Sequence, residues 1–570
     1  MTAAHETTPE EIELKYAVLD PAAGKRLLAA RRIAGFRARG RPRPVATDDR
    51  YLDTPEGALG HARIAVRVRT TAGDRLLTIK GVTTTDGPLH RREEHEGPAG
   101  EGLDPRAWPE SDARSLLLAL VGDAPLREQI GLRQQRRYRT LVGDDGAEVE
   151  LALDEVAVVA DEHELGSFTE LELELKRGAA EALAPLGAVL AAEPGLAPVT
   201  TSKLERALAL LAAAGPTAND EVAEPAAAER APQPAHTGEP AGAPEAGAVA
   251  EVVEPPRLIV GKTPGVERDD LLAEAGRRVL RFHLARMLAK EAGTRSGTNV
   301  EDLHDMRVAT RRMRAAWRVF GDGFRPGRTR RLRARLRTLA GRLGAVRDLD
   351  VLIEAAERYR DGLPGPAATA FDPLLAAWRD ERAAARTLLL RELDSDDYRR
   401  LVEEYRVFVA TEGAAVAPPA SPMTPHRVRD TAASRSWAAY EQVRAYEAVL
   451  RWADLETLHQ LRIAAKWLRY TLEFFREALG PETAALIPRV VALQDHLGWL
   501  HDAEVSSALT RTFLVAEASR LSPAETEAIA GYLHAREHEL ARLRRTLGRP
   551  WSSVAGPSFR RLLGRALAGL

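Results

Sequence analysis

With 570 residues, 45% of them hydrophobic and 29% charged, the chain is long enough for two to four globular domains at roughly 100–200 residues each. It has no cysteine, which excludes disulfides, thiolate metal sites and cysteine nucleophiles, and it has neither an apolar run near the roughly 18 residues that cross a bilayer nor an apolar leader after Met1, so a cytoplasmic protein without membrane contact is expected. The net charge of −2 conceals an acidic half, residues 1–256 with 29 Lys+Arg against 43 Asp+Glu, and a basic half, residues 257–570 with 52 against 40, and a basic half points to an anionic partner.

The first predicted strand, EIELKY at 11–16, puts Glu11, Glu13 and Lys15 on one face and Ile12, Leu14 and Tyr16 on the other. The same sorting returns along the acidic half. Arg67 and Arg69 stand opposite Val66 and Val68, Lys80 opposite Leu77 and Ile79, and Glu150 with Asp154 opposite Leu151 and Leu153. Glu170, Glu172 and Glu174 stand opposite Leu171, Leu173 and Leu175. A solvated antiparallel face would account for charges alone. Two features weigh against it: the strands are sorted into acid-rich and base-rich examples, and three glutamates on one strand face repel unless cations sit among them. A closed sheet with both signs pointing inward would bind a metal-complexed polyanion, carboxylates taking a hard divalent cation and Arg/Lys the phosphate oxygens.

These residues resemble the CYTH, or triphosphate tunnel metalloenzyme, superfamily over about residues 9–211. The resemblance rests on EIELK as its ExExK signature, YLDTP at 51–55, VRVR, Lys80 in TIKG, Arg92 with Glu94 and Glu96 in RREEHE, the arginines at 136–139, Asp154 in LALDE, ELELELK, and Ser202–Lys203. It implies an eight-stranded antiparallel β tunnel that binds triphosphate with Mg²⁺ or Mn²⁺. Residue by residue it implies that Glu11, Glu13, Asp154, Glu170 and Glu172 bind metal. Lys15, Arg67, Arg69, Lys80, Arg92 and Arg136 would hold phosphate, with Lys203 closing the cradle from a helix, and Glu11, Glu13, Lys15 and Lys80 are the catalytic candidates. Arg137 and Arg139 compete with Arg136 from the alternate face, and Glu94 and Glu96 are either metal-side residues or partners orienting the arginines. Lys15, Lys80 and Lys203 are three of only 8 lysines beside 73 arginines, which marks sites that want a compact ammonium.

Residues 212–256 are Ala/Pro/Glu/Gly-rich without periodicity, a composition that reads as a flexible linker between a domain at 1–211 and one at 257–570. The 45-residue tether, about 35–40 Å end to end if fully flexible, predicts two halves without a fixed interface.

Beyond 257 the apolar spacing is helical, and it repeats. LHDMRVATRRMRAAWRVF at 303–320 is echoed by LHQLRIAAKWLRYTLEFF at 458–475, and LGAVRDLDV at 343–351 by LGWLHDAEV at 497–505. Two landmarks at nearly one offset predict a duplicated bundle about a pseudo-twofold axis. His304, Arg307, Arg311 and Arg314 share one helical face, and His459, Arg462, Lys466 and Arg469 share its counterpart, beside an apolar stripe. Residues 303–347 hold 14 arginines against Asp305 and Asp322, a density that repels itself without an anion. Zinc is not expected, since no cysteine or HxxxH completes a site. Nucleic acid is disfavoured because the repeat faces lack interleaved aromatics for stacking.

This half resembles the CHAD domain over about residues 265–565. The resemblance implies an all-α domain of two duplicated four-helix bundles with a basic groove that binds inorganic polyphosphate through His304, Arg307, Arg311, Arg314, His459, Arg462, Lys466 and Arg469. Asp348 and Asp502, at equivalent repeat positions, would orient arginines, and His501 stands where the first repeat has Arg347. The function expected is metal-dependent hydrolysis of inorganic triphosphate joined to polyphosphate binding. The rivals are a binding-only polyphosphate-granule protein with an inactive tunnel, a nucleotide or thiamine triphosphatase, and a class IV-type adenylate cyclase.

Overall fold

The structure, a computed structural model, describes residues 10–214, 258, 260–419, 421 and 423–570. The expected linker at 212–256 therefore lies outside the described residues, apart from 212–214, which end a helix.

Eight strands close a ring: β1 (Glu10–Val18), β2 (Phe36–Asp53), β3 (Ala65–Thr71), β4 (Asp74–Lys80), β5 (Leu89–Pro98), β6 (Arg127–Val142), β7 (Glu148–Ala160) and β8 (His163–Arg177). They run antiparallel in the order β1-β8-β7-β6-β2-β3-β4-β5, and β5 returns to pair with β1. Closure leaves no free edge in the ring. The pairing register matches opposite charges across strands: Lys15 faces Glu172, and Arg136 faces Asp154. The alternate side chains point outward into apolar cover. Leu14, Tyr16, Leu151, Leu153, Leu171 and Leu173 pack with Leu27, Leu28, Leu183, Leu186 and Leu190 of two flanking helices.

The basic half is helical. Its repeat appears as α4 (Val300–Val319) with α5 (Pro326–Arg360) and α6 (Gly365–Asp394), then α7 (Leu455–Phe474) with α8 (Thr483–Ala516) and α9 (Pro523–Thr546). The tunnel half contributes α1 (Ala58–His61), α2 (Asp112–Val121) and α3 (Lys203–Ala214). The predicted stripe of Leu303, Met306, Met313 and Trp317 and its copy Leu458, Leu461, Leu468 and Leu472 are all buried, and they share one core.

The expectation of a tether without a fixed interface is corrected. Leu52, Leu59, Val66, Val68, Leu77, Ile79 and Leu117 of the tunnel lie in one apolar cluster with Leu352, Phe371, Trp378, Leu514, Val515 and Tyr532 of the helices. Polar contacts cross the same seam: Arg511 Nε donates to Leu120 O at 3.0 Å, and His95 Nε2 lies 3.0 Å from Val515 O. A Cβ on Gly81 would stand 3.1 Å from Val515 Cγ1, so the residue after Lys80 is small where the helical half presses in. The reason is plain in the strands. The outward residues of β3 and β4 are too apolar to face water, and α2 covers only part of them.

Leu514 sits fully buried at this seam. Leu514→Ala is expected to cost about 2–5 kcal/mol and to speed amide exchange in β3 and β4, read by hydrogen-exchange mass spectrometry. Unchanged protection in those strands would contradict a shared core.

Candidate functional site

The ring encloses a cavity of about 580 Å³ lined by Glu11, Glu13, Lys15, Arg67, Arg69, Lys80, Arg92, Arg136, Glu172 and Lys203 among others. Its charges are interlocked. Glu11 accepts from Lys80 at 2.8 Å and Arg92 at 2.6 Å. Glu13 takes Arg92 at 3.0 Å and Lys15 at 2.9 Å, and Lys15 reaches Glu172 at 3.5 Å. Glu172 also meets Arg136 and Lys203, both at 3.1 Å. Asp154, fully buried, holds Arg136 at 2.8 Å and Lys203 at 2.5 Å.

The pairing decides the ionisation. Burial alone would raise Glu11 and Glu172, but Lys80 with Arg92, and Lys203 with Lys15, outweigh it and hold both well below the usual carboxylate range. Glu170 goes the other way: burial, only partly offset by Lys203, pushes it up to about 7. Burial and Arg92 lower the Lys80 ammonium against the pull of Glu11. Lys15 and Lys203 end above the ordinary lysine value because Glu13 and Asp154 respectively overcome burial.

Three sequence alternatives are resolved by the register. Arg136 points into the cavity, Arg137 pairs outside with Glu155 at 2.6 Å, and Arg139 donates to the carbonyls of Leu28 and Gly40 at 2.9 and 2.8 Å. Glu94 sits 3.0 Å from Lys80, and Glu96 accepts from Thr78 at 3.1 Å. Asp154 and Glu170 do not line the open cavity but lie behind it, Glu170 held by Arg206 at 2.9 Å.

The sequence reading missed Asp49. Fully buried, it accepts from Arg67 at 3.1 Å, Arg69 at 2.7 Å and Gln134 at 2.7 Å, and so aims both arginines. Burial opposes its charge, but the two arginines bring it down to about 2. The Asp48–Asp49 pair one strand from VRVR was the available signal.

The donor chemistry fits a hard divalent cation: Glu11, Glu13, Asp154, Glu170 and Glu172 offer carboxylate oxygens only, and Asp154 Oδ1 and Glu170 Oε1 are buried without a hydrogen-bond partner. Among the described residues no three Asp, Glu or His side chains already converge on one point, because lysines and arginines occupy the space between them.

In the helical half, α4 carries His304, Arg307, Arg311 and Arg314, and α7 carries His459, Arg462, Lys466 and Arg469. The two helices pack together, and Arg307 and Arg311 both act on the ionisation of Arg462. Lys466 is brought down to about 8, first by burial and then by Arg462, Arg311, Arg314 and Arg318. Buried Arg311 Nε, Arg462 Nε and His304 Nδ1 lack hydrogen-bond partners. Arg307 leans on Asp348 at 2.8 Å, whereas Arg469 is tied to Glu473 at 2.8 Å. The His459 and His501 rings stand 4.9 Å apart. The face is not free of aromatics: Trp467 lies beneath Arg318, 4.1 Å from its ring centroid, and beside Lys466 at 5.1 Å. No helix among the described residues is long and apolar enough to cross a membrane.

Family models match this chain twice: a CYTH domain at residues 9–208 and a CHAD domain at 278–511. Among solved structures the chain is similar to the CHAD domain from the plant Ricinus communis, at 24% identity over 51% of this chain and 95% of that one, TM-score 0.40. PptA from Streptomyces chartreusis matches at 20% identity over 50% of this chain and 99% of its own, TM-score 0.40. A putative adenylyl cyclase from Hippeastrum that reveals a dominant triphosphatase activity matches at 19% identity over 35% and 95%, TM-score 0.27.

Asp49 gives a stability prediction. Its carboxyl is depressed to about 2 in the folded chain, so its stabilisation is full above the unfolded value near pH 4 and is lost as pH falls through 2. Asp49→Asn should cost about 2–3 kcal/mol at pH 7 in urea unfolding and much less near pH 2. An equal cost at both values would contradict the ion-pair role.

Proposed function

We propose, for a chain that joins a CYTH domain to a CHAD domain, that the tunnel hydrolyses inorganic triphosphate to pyrophosphate and phosphate, and that the helical groove binds inorganic polyphosphate. The observation that carries the first part is the interlocked charge of the cavity. Lys15, Lys80, Arg92, Arg136 and Lys203 are each held by carboxylates at ion-pair distance, so a triphosphate can replace those carboxylates as counterion. The lining carboxylates of Glu11, Glu13 and Glu172 would then be available to Mg²⁺ or Mn²⁺, with Asp154 and Glu170 behind them adding negative charge. When bound, that ion supplies charge neutralisation on the phosphate oxygens.

Phosphoryl transfer needs positioning and electrostatic support more than covalent chemistry, and the chain's own residues provide both. Arg67 and Arg69, aimed by Asp49, orient one end of the phosphate chain. Lys15, Lys80 and Arg92 surround the Glu11–Glu13 side, and Lys203 reaches in from α3 to cover the Asp154 side. Among the described residues the aromatic rings that line the cavity are Tyr51 and His90, against a lining dominated by charged side chains, which favours a bare phosphate chain over a nucleotide. On the facing helices α4 and α7, Arg307, Arg311, Arg314, Arg462 and Lys466 crowd together, where burial and like charge bring Lys466 down to about 8, and this concentration of cations supports an anionic partner.

Glu11→Gln and Glu172→Gln should each lower turnover of tripolyphosphate by about two orders of magnitude or more while weakening its binding less. Wild-type turnover in both variants would overturn the tunnel assignment.

For the groove, polyphosphate affinity should fall steeply with salt, and replacing Arg307, Arg311, Arg462 and Lys466 together by Ala should flatten that slope. An anion favours protonated Lys466, so affinity should also fall as pH rises through about 8. Lys466→Arg should remove that pH dependence in a calorimetric titration, and a persistent fall would place the titrating group elsewhere.

A further inference from the structure

One cation of the tunnel does not fit the interlocked pattern. The cavity is lined by Lys15, Arg63, Arg67, Arg69, Lys80, Arg92, Arg136, Lys176 and Lys203. Eight of these hold ion pairs with carboxylates. Arg63 has no carboxylate at ion-pair distance among the described residues, and it is exposed.

Its backbone is equally unusual. Arg63 has φ 59°, the left-handed region that a non-glycine residue adopts at a cost. Neighbouring bonds enforce it: Arg63 N donates to Gly60 O at 2.9 Å, and Ile64 N to Leu59 O at 3.0 Å. The buried Asp53 carboxylate anchors that turn by accepting from the N–H groups of Leu59 at 2.9 Å and Gly60 at 3.0 Å. The turn also meets the helical half, where Thr512 Oγ1 donates to Ala62 O at 3.4 Å. On its far side, His61 opens on a separate cavity of about 770 Å³ between the two halves. An arginine in a left-handed backbone therefore lines the tunnel beside the helical half, without a carboxylate partner among the described residues.

We propose that Arg63 is a substrate-binding residue at the tunnel mouth, and that it selects linear phosphate chains longer than the triphosphate held by the paired cations deeper in. The physical reason is the order of neutralisation. With a triphosphate on the paired cations, a fourth phosphate would meet Arg63, the lining cation that gives up no carboxylate to bind it. The arginine fork is suited to two oxygens of one phosphate. This inference rests on the tunnel's being a triphosphatase, and it makes inorganic tetraphosphate a preferred substrate of the same site.

The test uses the full chain with tripolyphosphate and tetraphosphate. Arg63→Gly removes the charge and relieves the backbone at once, so the fold is kept and the melting midpoint should hold or rise. Its KM for tetraphosphate should increase about tenfold while that for tripolyphosphate changes less than about twofold. Arg63→Lys should recover most of the tetraphosphate KM. Equal KM changes for the two substrates, or none in a variant that melts like the wild type, would overturn the role of Arg63 and leave the triphosphatase reading intact. A wild type that hydrolyses neither substrate would overturn that reading itself.

Discussion

The structure depends on one constraint: a charge taken out of water must meet its opposite, because a buried, uncompensated ion costs several kcal/mol. The tunnel carries many buried cations, and it can fold around them only because it supplies its own anions. The carboxylates on β1, β7 and β8 do this, so Glu11 with Lys80 and Arg92, and Asp154 with Arg136 and Lys203, are folding elements as well as the lining and backing of the cavity. In the proposed function the same residues serve twice, as counterions to the buried cations and as metal donors once phosphate takes over those cations.

The second half of the molecule is bound to the first through its core. The strands carrying Arg67 and Lys80 turn Val66, Val68, Leu77 and Ile79 outward, and these pack in one cluster with Leu514, Val515 and Tyr532. The helix α8 reaches both the basic helical face and the seam with the tunnel. It carries His501 beside His459 and, ten residues on at about 15 Å along the axis, Arg511 against the carbonyl of Leu120. A substitution in that helix is therefore felt in both halves.

Much of this was legible in the sequence. Period-two sorting in EIELK, LALDE and ELELELK is a direct consequence of strands with one charged and one apolar face, and the doubled LHxxR pattern fixed the helical repeat. Asp49 was missed, despite the Asp48–Asp49 pair, because β2, FRARGRPRPVATDDRYLD, is so polar and proline-interrupted that it does not read as a strand facing VRVR. Arg63 was missed because it lies in a turn between elements, where spacing carries no facial information. The shared core was invisible for another reason: an apolar strand face looks the same whether its cover comes from its own domain or from another. Residues Arg136, Arg137 and Arg139 show the limit of alternation, since only the register against β7 tells which of them points inward.

The central claim is that triphosphate and a divalent ion together take over a set of ready-made ion pairs. Phosphate release from tripolyphosphate, ATP and thiamine triphosphate by the full chain, with Mg²⁺, with Mn²⁺ and with EDTA, tests it most directly. The account predicts turnover of tripolyphosphate well above the two organic triphosphates, present with either metal and abolished by EDTA. Equal turnover of ATP, or hydrolysis that survives EDTA, would contradict it.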